Sequence, residues 1–153
     1  MGTGNYNDIT ARLYTDIGMF TCKEEYGTDA SSLFNVLTGY SLPPEYNKFI
    51  VAPTGMRKFF EDMIKKETLN AKQGLPSGIT AKVNSLVDPA IIELLYKASQ
   101  AGVKIKLIIR GICCLIPGIK GVSDNISVHS IVGQLLEHSR IFKFENAGDP
   151  VVY

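Results

Sequence analysis

Arg110 stands where an anion could be held. It follows the apolar run Leu107 to Ile109 in the stretch "LIIRGICCLIPG" and precedes Gly111, which lets the backbone turn sharply. That order puts a guanidinium near the carboxyl end of a buried strand, where open α/β sheets place their ligands. Its planar fork of donors suits phosphate oxygens in a two-point grip. The structural alternative is an ion pair with a nearby carboxylate, and the pattern alone leaves both open. His138 lies in "LLEHSRIF", with Arg140 two positions later. In an extended segment that spacing puts both side chains on one face. A neighbouring positive charge disfavours imidazolium, whereas a bound phosphate favours it. A half-buried histidine with its hydrogen bonds satisfied is the plain alternative, and His129 in "SVHSIV" is read that way.

Other candidates are softer. Arg12, Tyr14 and Asp16 alternate in "RLYTD", so a strand would carry all three on one face, with a tyrosine able to stack on a base or bond a phosphate. Lys82 and Asn84 alternate in the same way in "AKVNS", and "GTG" at residues 2–4 could form an anion-binding turn. Cys22, Cys113 and Cys114 show no CxxC spacing and are read as reduced thiols filling space near the core. With two histidines and no acidic cluster beside them, a transition-metal site made by this chain is not expected.

These residues need elements to position them. Helical and strand patterns alternate, which predicts an α/β layer architecture. "ARLYTDIGMFTC" reads as extended, and "DASSLFNVLTGY" as a helix with Leu33, Phe34 and Leu37 on one face, closed by Gly39. "NKFIVAP" reads as a short buried strand, followed by an amphipathic helix from about Gly55 to Asn70. "QGLPSG" is a loop leading into the strand "ITAKVNSLV". Asp88 as N-cap, Pro89 in the first helical position and Gly102 at the end bound the helix "DPAIIELLYKASQAG". "KIKLIIR" then completes a βαβ unit, and "ISVHSIV" and "SRIFKFE" give two further strands around the helical or turning piece "GQLLEH".

Composition bounds the function. A chain of 153 residues, 45% of them hydrophobic, is about one domain in size. Sixteen basic and fifteen acidic side chains nearly cancel, so no general field favours nucleic acid, and any anion site must be local. Apolar runs fall far short of the roughly 20 residues that span a bilayer, and the N-terminus lacks a signal-peptide pattern. A cytoplasmic location is expected.

Taken together, "GTGNYN", "ARLYTDIGMFT", "LFNVLTGY", "VNSLVDPAIIELLYKASQAGVKI", "LIIRGICCLIPG" and "SIVGQLLEHSRIFKFEN" resemble the C-terminal half of the polyphosphate kinase type 1 family. The resemblance runs over nearly the whole chain in order, with "RGICCL.PG" and "LEHSRI" its most specific parts. It implies an α/β fold, a phospholipase D-like mixed sheet flanked by helices and incomplete at both ends. Residues 1–45 would be the tail of one phospholipase D-like catalytic domain and residues 46–153 most of the next. The implied activity is reversible transfer of the terminal phosphate of ATP to inorganic polyphosphate through a phosphohistidine. The implied partners are ATP or ADP and polyphosphate. The full enzyme would be a homo-oligomer using magnesium, whose ligands lie outside this chain, with peripheral membrane association of that enzyme allowed.

Motif by motif, the resemblance makes Tyr14 a nucleotide contact, Arg110 a grip on ATP phosphates, and His138 a catalytic and substrate-binding residue facing the phosphohistidine. Asp16 and Arg140 are candidates for supporting roles. The family's phosphohistidine and magnesium-linked arginines fall upstream of "GTGNYN", and its "GSADW"-type segment falls downstream of Tyr153. The expectation is therefore a fragment that lacks turnover by itself. A non-catalytic phosphate-binding or subunit-interaction module is the alternative. A phospholipase D-type phosphodiesterase is disfavoured, because it wants lysine two residues after each histidine, where Ile131 and Arg140 stand.

Overall fold

The computed structural model describes residues 1–4 and 6–153, so Asn5 of "GTGNYN" lies outside the described residues. In chain order the elements are β1 (Tyr14–Thr15), α1 (Glu24–Leu37), α2 (Met56–Lys72), β2 (Gly78–Leu86), α3 (Pro89–Gln100) and β3 (Lys104–Cys113). Four short strands follow, β4 (Ile126–Ser130), β5 (Leu136–Glu137), β6 (Ile141–Phe144) and β7 (Val151–Val152). They divide into two compact units, one of Met1 and Met19–Phe59, the other of Gly2–Gly18 and Phe60–Tyr153.

In the first unit α1 begins at Glu24 rather than near Asp29. Glu24 and Glu25 sit in its first turn, where carboxylates complement the helix dipole. Thr38 donates its hydroxyl to the Phe34 carbonyl, and Gly39 adopts φ 79° just beyond the end. Phe34 and Leu37 of the expected apolar face are 66% and 70% exposed. The strand expected over "NKFIVAP" does not form. Instead the Asp29 carboxylate, 1% exposed, accepts the backbone N–H groups of Asn47, Lys48 and Phe49 at 2.9, 2.6 and 2.8 Å. Donors tied to one side chain are not available to a sheet ladder.

The second unit is a mixed five-stranded sheet in the order β4-β3-β2-β6-β7. β4, β3 and β2 run parallel, while β6 and β7 are antiparallel additions. Asp88 caps α3 by accepting from the Ala90 and Ile91 N–H groups, and Gly102 follows the helix at φ 101°. Ile92, Leu95 and Ala98 of that helix join Ile64 of α2, Ile79 and Ala81 of β2, and Ile105, Leu107 and Ile109 of β3 in one core. Burial of such side chains stabilises by roughly 1.5–3 kcal/mol each.

Strict alternation along β3 has a consequence for function. Because Ile105, Leu107 and Ile109 point into the core, Lys106, Ile108 and Arg110 fall on the opposite face. On β2 the cross-strand partners Lys82 of Ile108 and Asn84 of Arg110 share that face. The strand does not end at Arg110 as the sequence suggests. It continues to Cys113 through a bulge, in which Gly111 at φ 94° lies against Ser85 at φ 67° and the register slips between Asn84 and Leu86.

Two further expectations need correcting. The segment "ARLYTDIGMFTC" is not extended throughout: Thr10–Leu13 form a 3-10 turn, so Arg12 does not share a strand face with Tyr14 and Asp16. "GQLLEH" is neither helix nor turn at its end, since Leu136 and Glu137 pair in parallel with Tyr14 and Thr15. That backbone pairing with a distant segment overrides the local preference.

Candidate functional site

The site is assembled on the face of the sheet away from the core, where β2, β3 and the segment after β5 meet. Arg110 and Asn84, facing each other across β3 and β2, both reach His138. The Asn84 Nδ2 lies 3.0 Å from His138 Nδ1 and 3.4 Å from the His138 carbonyl oxygen, and Arg110 Nη1 lies 3.4 Å from the same Nδ1. The β1–β5 pairing brings Tyr14 alongside, its ring meeting the imidazole edge-to-face at 5.1 Å and 79°. All four residues are half-buried.

Lys82 secures the segment that carries His138. Its ammonium donates to the Ser139 carbonyl at 3.0 Å and hydroxyl at 2.6 Å, and pairs with the Glu137 carboxylate at 3.1 Å. The hydrogen bond from Lys82 is the main reason that the Glu137 carboxyl is held below its ordinary range. Lys82 and Ser139 do not form a nucleophile–base dyad, because an ammonium paired with a carboxylate has no lone pair to offer.

Arg110, by contrast, has no carboxylate partner among the described residues, and the one hydrogen-bonding contact of its side chain among them is His138. The ion-pair alternative for Arg110 is thereby removed. The imidazole Nε2 and the Tyr14 hydroxyl likewise make no hydrogen bond among the described residues, so a ring nitrogen, a phenol and the guanidinium nitrogens other than Nη1 are left unengaged in one corner.

The other sequence candidates lie elsewhere. Arg140 is exposed and outside β6, so it does not share a strand face with His138, and Asp16 and His129 are exposed. Asp16 borders Gly4, while the Thr3 N–H and hydroxyl are both committed to Ile17, which leaves "GTG" as a pairing segment rather than an anion-binding turn. The three thiols are free, but only Cys113 packs near the core; Cys22 and Cys114 are exposed. Among the described residues no group of three or more His, Cys, Asp or Glu is placed to hold a metal ion, and no helix is long and apolar enough to cross a membrane. Sequence reasoning gave no role to Glu137 or Ser139. For Lys82 and Asn84 the usable signal was their period-two spacing, which puts both on the face of Arg110.

Comparison with known proteins identifies the family. Residues 49–153 match the family model described as polyphosphate kinase C-terminal domain 2, and residues 1–43 match polyphosphate kinase C-terminal domain 1. The polyphosphate kinases of Lactiplantibacillus plantarum and Staphylococcus haemolyticus are 58% and 60% identical to the chain over all 153 residues, which make up 21% of each of those proteins. The crystal structure of polyphosphate kinase from Porphyromonas gingivalis superposes with a TM-score of 0.90 at 40% identity, covering 99% of this chain and 25% of that one. The mixed sheet with its helices is the phospholipase D-like α/β fold that the sequence resemblance implies. The chain spans about a fifth of the length of the curated relatives it matches.

Proposed function

The chain belongs to the polyphosphate kinase family, and from that premise we propose that it carries part of the nucleotide and polyphosphate site of an ATP:polyphosphate phosphotransferase. The observation that supports this most is Arg110, a half-buried guanidinium with no carboxylate partner among the described residues, beside an imidazole whose Nε2 makes no hydrogen bond among them. An uncompensated cation in a half-buried corner is stabilised by a bound anion.

In this reading Arg110 holds phosphate oxygens through its fork, and His138 presents Nε2 to the same group. Tyr14 borders the nucleotide, its hydroxyl available for a hydrogen bond. Phosphoryl transfer depends largely on positioning and charge stabilisation, so these residues contribute by orienting the phosphates and offsetting their charge. Magnesium, which the family resemblance implies, finds no ligand set among the described residues, and the roles of Arg110, His138 and Tyr14 do not depend on it. Residues 1–45 then belong to the end of one catalytic domain and residues 46–153 to the next. The phosphohistidine is assigned to neither His129 nor His138, so these 153 residues bind phosphates without turning ATP over.

Titration calorimetry with inorganic tripolyphosphate tests the reading. A lost charge-assisted hydrogen bond costs on the order of 1.5–3 kcal/mol, so Arg110→Ala should weaken binding by roughly tenfold to a hundredfold with the fold intact. Equal binding by the unmodified chain and the variant would refute it.

A further inference from the structure

Asn84 has no role in the resemblance, yet its contact to the His138 ring is shorter than that of Arg110. The direction of that contact follows from chemistry. A guanidinium only donates, so the imidazole nitrogen facing Arg110 Nη1 must accept. The amide therefore turns its NH2 group, not its oxygen, toward the same Nδ1. Its Oδ1 is left buried without a hydrogen-bond partner. A side chain kept only to fill this space would not carry that orphan oxygen, since leucine fills it equally well.

An imidazole that accepts at Nδ1 carries its proton on Nε2. Two positions earlier on the same strand face, Lys82 binds both neighbours of His138 in sequence, Glu137 and Ser139. Asn84 thus holds the ring itself and Lys82 holds the residues that flank it, although residues 138–140 belong to no helix or strand.

We propose that Asn84 is a positioning residue for His138: with Lys82 it clamps the Glu137–Ser139 segment to β2, and it sets the tautomer so that His138 meets a phosphate oxygen with an Nε2–H donor rather than a lone pair. Only the last clause, the phosphate oxygen, rests on the function proposed above.

The chain contains two histidines, so nitrogen-15 spectra of selectively labelled protein are simple to read, and His138→Gln assigns the pair. Spectra are taken well above the ordinary imidazole range of about pH 6.5. The unmodified chain should show the Nε2–H tautomer at His138. Asn84→Asp, which offers only acceptors at the shorter contact and whose carboxylate draws the Arg110 guanidinium away from Nδ1, should move the proton to Nδ1 while leaving His129 unchanged. Arg110→Ala should keep the Nε2–H form, because Asn84 still donates. An Nδ1–H tautomer in the unmodified chain overturns the proposal even if a variant fails to fold. So does loss of the Nε2–H preference in Arg110→Ala, or no change in a folded Asn84→Asp. Added inorganic tripolyphosphate should perturb the Nε2 signal. A silent titration with the Nε2–H form in place would refute the phosphate reading and uphold the clamp.

Discussion

Asn84 and Arg110 are register partners across β2 and β3, and they are the last pair before the register breaks. Both direct donors at one nitrogen of His138, at 3.0 and 3.4 Å. The bulge that follows is therefore next to the site rather than incidental to it. It lets β3 continue to Cys113 while the pair that faces His138 stays in register.

If the fork geometry of Arg110 matters beyond its charge, Arg110→Lys should bind tripolyphosphate with an affinity between those of the unmodified chain and Arg110→Ala. Lysine keeps the positive charge but presents it as a point with no planar pair of donors. Calorimetric titration of the three proteins in one buffer measures the order. A lysine variant that binds as tightly as arginine would mean that charge alone is used.

Gly111 tests the bulge. At φ 94° a side chain is strained, and a Cβ there would lie 3.2 Å from Ser85 Oγ, so Gly111→Ala should lose about 1–3 kcal/mol of stability. Gly102→Ala is the control: it has φ 101° but no atom within 4 Å of its added Cβ. Both should lower the urea midpoint, whereas only Gly111→Ala should also weaken tripolyphosphate binding in the folded protein. Equal binding by the two variants would separate the bulge from the site.

Much of this arrangement can be read locally, and the failures share a cause. The α3 helix has its own signals in Asp88, Pro89 and Gly102, and β3 has its own alternation at Ile105, Leu107 and Ile109. By contrast, Asn47, Lys48 and Phe49 look like part of a strand until Asp29, far away in sequence, takes their N–H groups. Leu136 and Glu137 become a strand only because Tyr14 and Thr15 lie beside them. The spacing of Lys82 and Asn84 showed a shared face, but only the fold shows that His138 and its neighbours cover that face.

Asp29 predicts a pH dependence for the first unit. Burial pushes its carboxyl upward, but the N–H donors of Asn47, Lys48 and Phe49, with the Asn47 side chain, outweigh this and lower it from 3.8 to about 2. A carboxyl with a depressed value stabilises the folded state fully above its unfolded value. That contribution is lost as the pH falls from about 3.8 toward 2. Circular dichroism should show acid loss of helix in this window for the unmodified chain. Asn cannot ionise, so Asp29→Asn should be less stable near neutral pH and shallower in its acid response. An unchanged acid profile in Asp29→Asn would mean that Asp29 does not couple folding to pH.

The last prediction concerns phosphorylation. Attack on a phosphoryl group needs a nitrogen lone pair. At His138 the Nδ1 lone pair already faces Asn84 and Arg110, and the proton that this arrangement places on Nε2 removes the other. His129 has a register partner in Ile108, and among the described residues its side chain makes no hydrogen bond to a base that could activate it. Incubation with ATP labelled in its terminal phosphate should therefore leave no acid-labile label on the chain. Peptide mapping that places acid-labile phosphate on His138 would contradict both the tautomer and the non-nucleophilic role. In the Asn84→Asp variant the proton moves to Nδ1 and exposes the Nε2 lone pair, so slow labelling of His138 there, and not in the unmodified chain, would show that the amide restrains the histidine.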